Sequence, residues 1–382
     1  MSRFDRVILR EISLPLAEPF RTAKGIVKDR RIILLEIFDA DRVSVWSECV
    51  AGAAPDYTTE TVESAWDILS VSIIPASVGR EFSHPREIHA QLAAAQDDHP
   101  MARAAVEMGA WALASMRKNK SLASLLAESC AEPSDPRGSV ETGIVIGVTG
   151  DSDALEMRVR DAIATGYRRV KLKISPASDI QSIRRVSDIA GNATAVDANG
   201  SFSIENPEHL RMLREIDALG MSMIEQPLPA DAMTEHAELQ RLLMTPICLD
   251  ESISSVDSVE AMIGMKSALI ANLKPGRVGG FTESIAIHDR CARAGIPVWC
   301  GGMLETGIGR AYNVALASLP NFRLPGDLSP SSRYWRRDIV TPPWTMSADG
   351  TLQVPVDRVG TGVKVDPEFV DGLTVRSLEI SA

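Results

Sequence analysis

The chain is poor in the features that mark secreted, membrane-spanning or nucleic-acid-binding proteins. Cysteine is scarce. Five residues of 382 (Cys49, Cys130, Cys248, Cys291 and Cys300) are scattered, odd in number and without C-x-x-C spacing. That argues against a disulfide framework or a zinc site and for a reducing compartment. No apolar run approaches the roughly 18 residues of a membrane helix, and the N-terminus enters a strand-like pattern without a signal-peptide core. A cytoplasmic protein with no membrane partner is the expectation. Positive charge is also short: 40 Lys and Arg against 51 Asp and Glu leave a net charge of −11. Nucleic acid and anionic membrane surfaces demand basic patches, so both are disfavoured as partners. A small anionic substrate stays open, because a local site can invert the global sign. The six histidines (His84, His89, His99, His209, His236, His288) fall in expected helices or loops away from strand ends. None is assigned to chemistry, and most are expected at the surface.

What is present is a change of texture along the chain. Residues 7–14 and 31–38 read as strands rich in Ile, Leu and Val, followed by three helical stretches ending near residue 131. Glu132-Pro133-Ser134-Asp135-Pro136-Arg137-Gly138 is a breaker cluster. Beyond it, short apolar runs alternate with helical stretches, the pattern of parallel β-α units. Seven or so units suit a closed barrel, with an open doubly wound sheet as the alternative. The tail returns to strand-like patterning at 352–354, 363–365 and 373–380. The expected organisation is a capping-domain segment over 1–131, a barrel over 132–335, and a tail, 336–382, that rejoins the cap.

The charged residues fall on this beat. Lys173, Asp197, Glu225, Asp250 and Lys274 close successive apolar runs at separations of 24, 28, 25 and 24 residues. In a parallel barrel one β-α unit per step brings all five to the C-terminal rim, where barrel active sites form. A single acid after a strand is more often a helix cap than a ligand. Capping does not explain three acids on successive strands flanked by lysine-ended strands. Three carboxylates without clustered His or Cys specify a hard cation, magnesium by preference with manganese as a substitute, held by Asp197, Glu225 and Asp250. A small-molecule carboxylate bound there could lose the proton on its adjacent carbon to give an enediolate. The base would be Lys173. Lys171, two residues earlier on the same strand face, is expected to lower its pKa by like-charge repulsion. Lys274, four strands on, would stand across the mouth, so that two bases flank a planar intermediate.

The series Lys171-Leu172-Lys173, Asp197-Ala198-Asn199, Glu225-Gln226-Pro227, Asp250-Glu251 and Lys274-Pro275-Gly276-Arg277-Val278-Gly279-Gly280 resembles the enolase superfamily, muconate-lactonising subgroup, whose pairing of a Lys base with magnesium is a known pattern. Pro297-Val298-Trp299-Cys300-Gly301-Gly302-Met303-Leu304-Glu305-Thr306-Gly307, together with Pro19-Phe20-Arg21-Thr22 and Trp46-Ser47-Glu48-Cys49, is similar to its o-succinylbenzoate synthase/N-succinylamino acid racemase branch. The resemblance implies an α/β fold, a (β/α)7β TIM-like barrel with an α+β cap built from both termini. It also implies roles for Asn199 and Glu251 beside the metal, and for Gly301, Gly302 and Met303 along the substrate. Asp327-Leu328-Ser329 matches only half of the Asp-x-Asp by which related dipeptide epimerases hold an α-ammonium, which counts against a free amino group on the substrate. Lys24, Gly52 and Val145 depart from the branch pattern. Lys24 is either a solvated loop lysine or a substrate-facing cation. Arg277 either pairs with a distal acyl carboxylate or braces its loop. Trp299 and Tyr334 read as packing residues.

The expected activity is racemisation of an N-acylated, for example N-succinylated, amino acid, or dehydration to o-succinylbenzoate at the same site. Cycloisomerisation of a muconate-like diacid needs only one lysine in an acid/base role and is the alternative. A barrel that binds ligand without catalysis is the reading from another class, and a Schiff-base enzyme leaves three acids without a task. A homo-oligomer is a base-rate expectation only.

Overall fold

In the computed structural model every residue is described except 1, 23–24, 96–97 and 148–151. Three long antiparallel strands, β1 (Arg6–Thr22), β2 (Gly25–Phe38) and β3 (Ser44–Cys49), open the chain. The C-terminal strand Thr374–Ser381 pairs with β1, which gives a four-stranded sheet with β1 and β2 in its centre. Ile32, Ile33, Leu34 and Leu35 are all buried. Successive strand residues point to opposite faces, so the sheet is covered on both sides there. Helix α1 (Pro100–Arg117) packs nearly all of its surface inward. A Cβ at Gly109 would lie 2.3 Å from Ile37 Cδ1, so only glycine lets the helix cross β2 this closely. β3 was not foreseen from the sequence. The tail also differs from expectation. Only its last strand joins the cap sheet, whereas Thr351–Gln353 pairs with Ser139–Glu141, and Lys364–Val365 pairs with Val340–Thr341.

Seven parallel strands follow: β4 (Gly143–Gly147), β5 (Arg169–Lys173), β6 (Thr194–Asp197), β7 (Ile224–Glu225), β8 (Ile247–Leu249), β9 (Ile270–Leu273) and β10 (Val298–Cys300), each bonded to the next. An irregular eighth stave over residues 321–327 closes the ring. On one side Val298 N donates to Asn321 O, Arg323 N to Val298 O and Asp327 N to Cys300 O. On the other, Gly143 N donates to Gly326 O and Gly326 N to Glu141 O. The (β/α)7β barrel is therefore complete, with α2 (Ser152–Thr165), α3 (Ile180–Ala190), α4 (Pro207–Asp217), α5 (Met233–Leu242), α6 (Val256–Met265), α7 (Phe281–Arg293) and α8 (Gly307–Ala317) between its staves. Among the described residues, no helix is long and apolar enough to cross a membrane. All five cysteines are buried and free.

Carboxylates of the cap hold it to the barrel by filling helix N-termini, where backbone N–H groups lack partners. Glu107 of α1 accepts Phe281 N at 2.7 Å and Thr282 N at 2.9 Å at the start of α7, and Trp111 Nε1 at 2.7 Å. Gly280, which precedes α7, has no side chain to cap it. Glu48 of β3 accepts Thr306 N and Gly309 N at the start of α8. Most of the histidines were expected at the surface, but none of the six is exposed: four are half-buried and His236 and His288 are buried. His236 bonds Ala232 O and Leu228 N, and His288 bonds Asp289 and Asn321 N, so both tie loops to helices.

Glu107→Ala is expected to cost about 2–4 kcal/mol, because it strands several buried donors at once. Glu260→Ala, which loses an exposed pair with Arg290, should stay within about 0.5 kcal/mol. Urea unfolding of both variants checks the contrast.

Candidate active site

Strand alternation builds the site from below. On β5, Arg169, Lys171 and Lys173 point into the barrel, while Val170 and Leu172 point out to the helices. The floor is apolar: Ala195, Met223, Cys248, Ile270 and Trp299 form their own cluster, with Leu324 against it. Among these residues stand the polar side chains of Lys171, in register with Ala195, and Asn272, in register with Trp299, together with Arg169 and Asp327, and above them the rim residues. Lys173 pairs in register with Asp197, and Asp197 with Glu225. Asp250 and Lys274 each lie one residue past their strands, β8 and β9. The five residues predicted to share one mouth do so.

Each acid is turned towards a cationic side chain. Asp197 Oδ2 lies 2.6 Å from Lys173 Nζ and 3.5 Å from Lys171 Nζ. Glu225 accepts from Lys171 Nζ at 2.7 Å through one oxygen and from Asn272 Nδ2 at 2.8 Å through the other. Asp250 accepts from Lys274 Nζ at 2.8 Å, from Tyr57 Oη at 3.1 Å and from Arg277 Nη1. Burial pushes the Glu225 carboxyl up to about 8, and the nearby Asp197 charge adds to it. Burial alone would also raise Asp250, but Lys274 and Arg277 outweigh it and hold the group well below the usual carboxylate range. The Asp197, Glu225 and Asp250 oxygens do not form a trio within 4.8 Å. The described trio of potential ligands that does is Cys130, His288 and Asp289. His288 Nε2 accepts from Asn321 N, which leaves the proton on Nδ1 facing Asp289. That trio is a structural knot.

The two rim lysines differ. The Lys173 side chain is 42% exposed and also donates to Asn199 Oδ1. Lys274 is 9% exposed and lies 4.3 Å from the centre of the Tyr57 ring, with its ammonium 3.0 Å from the Tyr57 hydroxyl. Burial would lower the pKa of Lys274, but Asp250 reverses the sign and raises it. Lys171, expected from the sequence to act on Lys173 by its charge, is itself met by acids. Its charge is balanced by Asp327 and Glu225 at hydrogen-bonding distance and by Asp197. Arg277 braces its loop: Nε donates to Ile253 O and Nη2 to Asn272 O. Asn199 donates to Glu251 Oε1, whereas Glu251 Oε2 is buried without a partner. Gly301 makes room: a Cβ there would lie 2.5 Å from Lys274 Cε and 2.4 Å from Asn272 Oδ1. At Gly302 it would meet Asp327 O at 2.7 Å. Met303 is half-buried, its N–H held by Glu305. Val145, in register with Lys171, lines the same interior. Lys24 lies outside the described residues.

Tyr57, Asn272 and Arg169 were not singled out from sequence. Arg169 had a signal, its place two residues before Lys171. Tyr57 had none, being a loop residue of the cap. A cavity of about 340 Å³ lined by Ile180, His209 and Met212, among others, lies between α3 and α4 on the outer wall, away from this chemistry.

Residues 5–127 match the mandelate racemase/muconate lactonizing enzyme N-terminal domain, and residues 154–369 match the enolase C-terminal domain-like family. The chain belongs to the enolase superfamily. It is 41% identical to an o-succinylbenzoate synthase of Geobacillus stearothermophilus over 97% of this chain and 96% of the relative. It is 40% identical to an N-succinylamino acid racemase of Amycolatopsis sp. over the whole of both chains. A solved enolase-superfamily member from Listeria innocua superposes with a TM-score of 0.92 at 36% identity, over the full length of both. The chain is thus an enzyme, an isomerase or a lyase of this superfamily.

Gly301→Ala is expected to displace the Lys274 stem, with a stability loss of about 1–3 kcal/mol from overpacking. A crystal structure of the variant checks it: Lys274 Nζ should no longer reach Asp250, and an unmoved Lys274 would show that β10 yields instead.

Proposed function

We propose that the enzyme moves the proton on the carbon adjacent to a substrate carboxylate, with a divalent cation, magnesium or manganese, held by Asp197, Glu225 and Asp250. The reactions are racemisation of an N-acyl, in particular N-succinyl, amino acid and formation of o-succinylbenzoate. The observation that carries the reading is the pair of lysines on strands four apart in the ring, flanking three acids at one barrel mouth. The relatives named for these two reactions support it.

The residues fit a hard cation. The acids share one mouth, where burial and the Asp197 charge raise Glu225, and Glu251 Oε2 adds a buried oxygen without a partner. All the donors are carboxylates. Such a cation supplies positive charge that offsets the charge developing on the substrate carboxylate as the α-carbon loses its proton. Lys173 and Lys274 would then turn from Asp197 and Asp250 towards the substrate. For one stereoisomer Lys173, neutral, takes the α-proton while Lys274, charged, delivers one to the opposite face; for the other the roles exchange. Elimination of water uses one lysine to take the α-proton and return it to the departing hydroxide, and leaves the other as a cation beside the developing charge. Lys171 and Asn272 fix Glu225 from both sides, and Tyr57 and Arg277 fix Asp250.

With N-succinyl amino acids in deuterated water, Lys173→Ala and Lys274→Ala should each abolish α-proton exchange in a different stereoisomer, with losses of roughly a thousandfold or more. Loss of exchange in both stereoisomers to the same degree in both variants rules out a two-base racemase. Chelation should remove activity against N-succinyl amino acids and against the o-succinylbenzoate precursor alike, and added magnesium should restore both. Persistence of either reaction in chelator would separate it from the metal site.

A further inference from the structure

Lys171, beside the three acids, belongs also to a second group of charges whose other members, Asp327 and Arg169, have no task in the chemistry. Lys171 Nζ is shared between Glu225 Oε2 at 2.7 Å and Asp327 Oδ2 at 2.8 Å. The other Asp327 oxygen accepts from Arg169 Nη2 at 2.8 Å. All four side chains are at least nine-tenths buried. The Arg169 guanidinium lies 4.0 Å from the centre of the Trp299 ring and the Lys171 ammonium 4.7 Å from it, so one indole underlies both cations. Asp327 is fixed through its backbone, its N–H bonded to Cys300 O and its carbonyl accepting from Arg310 Nη1. Arg169 Nε and Nη1 are buried without hydrogen-bond partners. A fork built for two parallel bonds makes one, which marks its contribution as charge rather than bonding geometry.

We propose that Asp327 and Arg169 are a charge-balancing positioning pair: Asp327 holds Lys171 against Glu225, Arg169 offsets Asp327, and together they set how strongly the acid cluster attracts a divalent cation. The inference rests on the reading of Asp197, Glu225 and Asp250 as cation ligands. Its signature is a pair of opposite signs. Loss of Asp327 leaves Arg169 without a counter-charge and Lys171 with Glu225 alone, one unit of positive charge in excess, which repels a divalent ion. Loss of Arg169 leaves an uncompensated acid and attracts one. Loss of both restores the balance. A packing role predicts the reverse pattern, harm from each change and more harm from both.

The experiment is calorimetric titration of the full-length protein with magnesium chloride alone, without substrate. Asp327→Asn should weaken binding on the order of tenfold or more and Arg169→Met should tighten it severalfold, from one unit charge acting on a divalent ion across a few ångströms of protein. The double variant and the charge-conserving Arg169→Lys should both stay within about threefold of the wild type. Single variants that weaken binding alike, or losses that accumulate in the double variant, overturn the proposal. Should Asp327→Asn fail to fold, Arg169→Met against Arg169→Lys still decides: tightening only in the first supports the pair, and equal affinities refute it. A wild-type protein that binds no magnesium overturns the cation reading and this inference together. Binding by the wild type with the wrong pattern in the variants overturns the inference alone.

Discussion

An ionisable side chain inside a barrel is out of reach of bulk water, so each charge there must be met by an opposite one. That constraint organises the centre of this enzyme. Lys171, Lys173, Lys274, Arg169 and Arg277 face Asp197, Glu225, Asp250, Glu251 and Asp327, five cations against five acids. The acids are not equivalent. Those with strong cationic partners, Asp250 and Asp327, are held low, whereas Glu225 and Glu251, for which burial outweighs their partners, are raised. A near-neutral cluster holds together only because its members are interleaved on adjacent strands, each within reach of its neighbour. The parallel register provides that interleaving and the alternation of side chains provides the depth. On the proposed reading, a divalent ion and the one substrate carboxylate that it faces together add one unit of positive charge to the mouth. That is the sign of field that favours negative charge growing on the substrate carboxylate.

The cap is bound into the same scheme. Tyr57 reaches from it to Asp250, Lys274 and Arg277. Glu48 and Glu107 fill the starts of the helices that follow β10 and β9. The loop carrying Gly301, Gly302 and Met303 is therefore held from both sides: by the barrel strand before it, and by a cap carboxylate at the helix after it. This segment acts as a fixed wall of the mouth. The two close approaches at Gly301 and Gly302 show why side chains are excluded from it.

The parts legible in the sequence are those with a local period. Strand-end charges one β-α unit apart could be placed on a rim before any coordinates, and the inward row Arg169, Lys171, Lys173 follows from a period of two. Contacts between segments far apart in the chain were not legible. Tyr57 and Lys274 are separated by 217 residues, and nothing in the residues around Tyr57 marks it as a partner. The tail shows the same limit. Segments 352–354 and 373–380 look alike as strands, yet the first pairs beside the barrel and only the second joins the cap, because a strand pattern names no partner. Asp327 carried a different ambiguity. Half of an ammonium-binding motif in sequence, it proves to be held by Lys171 and Arg169, one to each oxygen.

The choice between racemisation and dehydration is not made by the charges at the barrel mouth. Relatives at 41% and 40% identity carry the two different names, and the same two lysines and three acids serve both reactions on the proposed reading. Discrimination must then arise where the substrate's remaining atoms lie, in shape and in solvent exclusion. The asymmetry between the lysines bears on this. Lys173 is open to the mouth and held by Asp197 and Asn199, while Lys274 is enclosed by Tyr57, Asp250 and Arg277. A dehydration needs proton transfer by one lysine, and the open one can serve it without disturbing the enclosed one. A racemase needs both to exchange protons with the substrate. It therefore needs the Tyr57–Arg277–Asp250 enclosure to let Lys274 turn, and the rigidity of that enclosure, more than any metal ligand, is where the two activities can diverge.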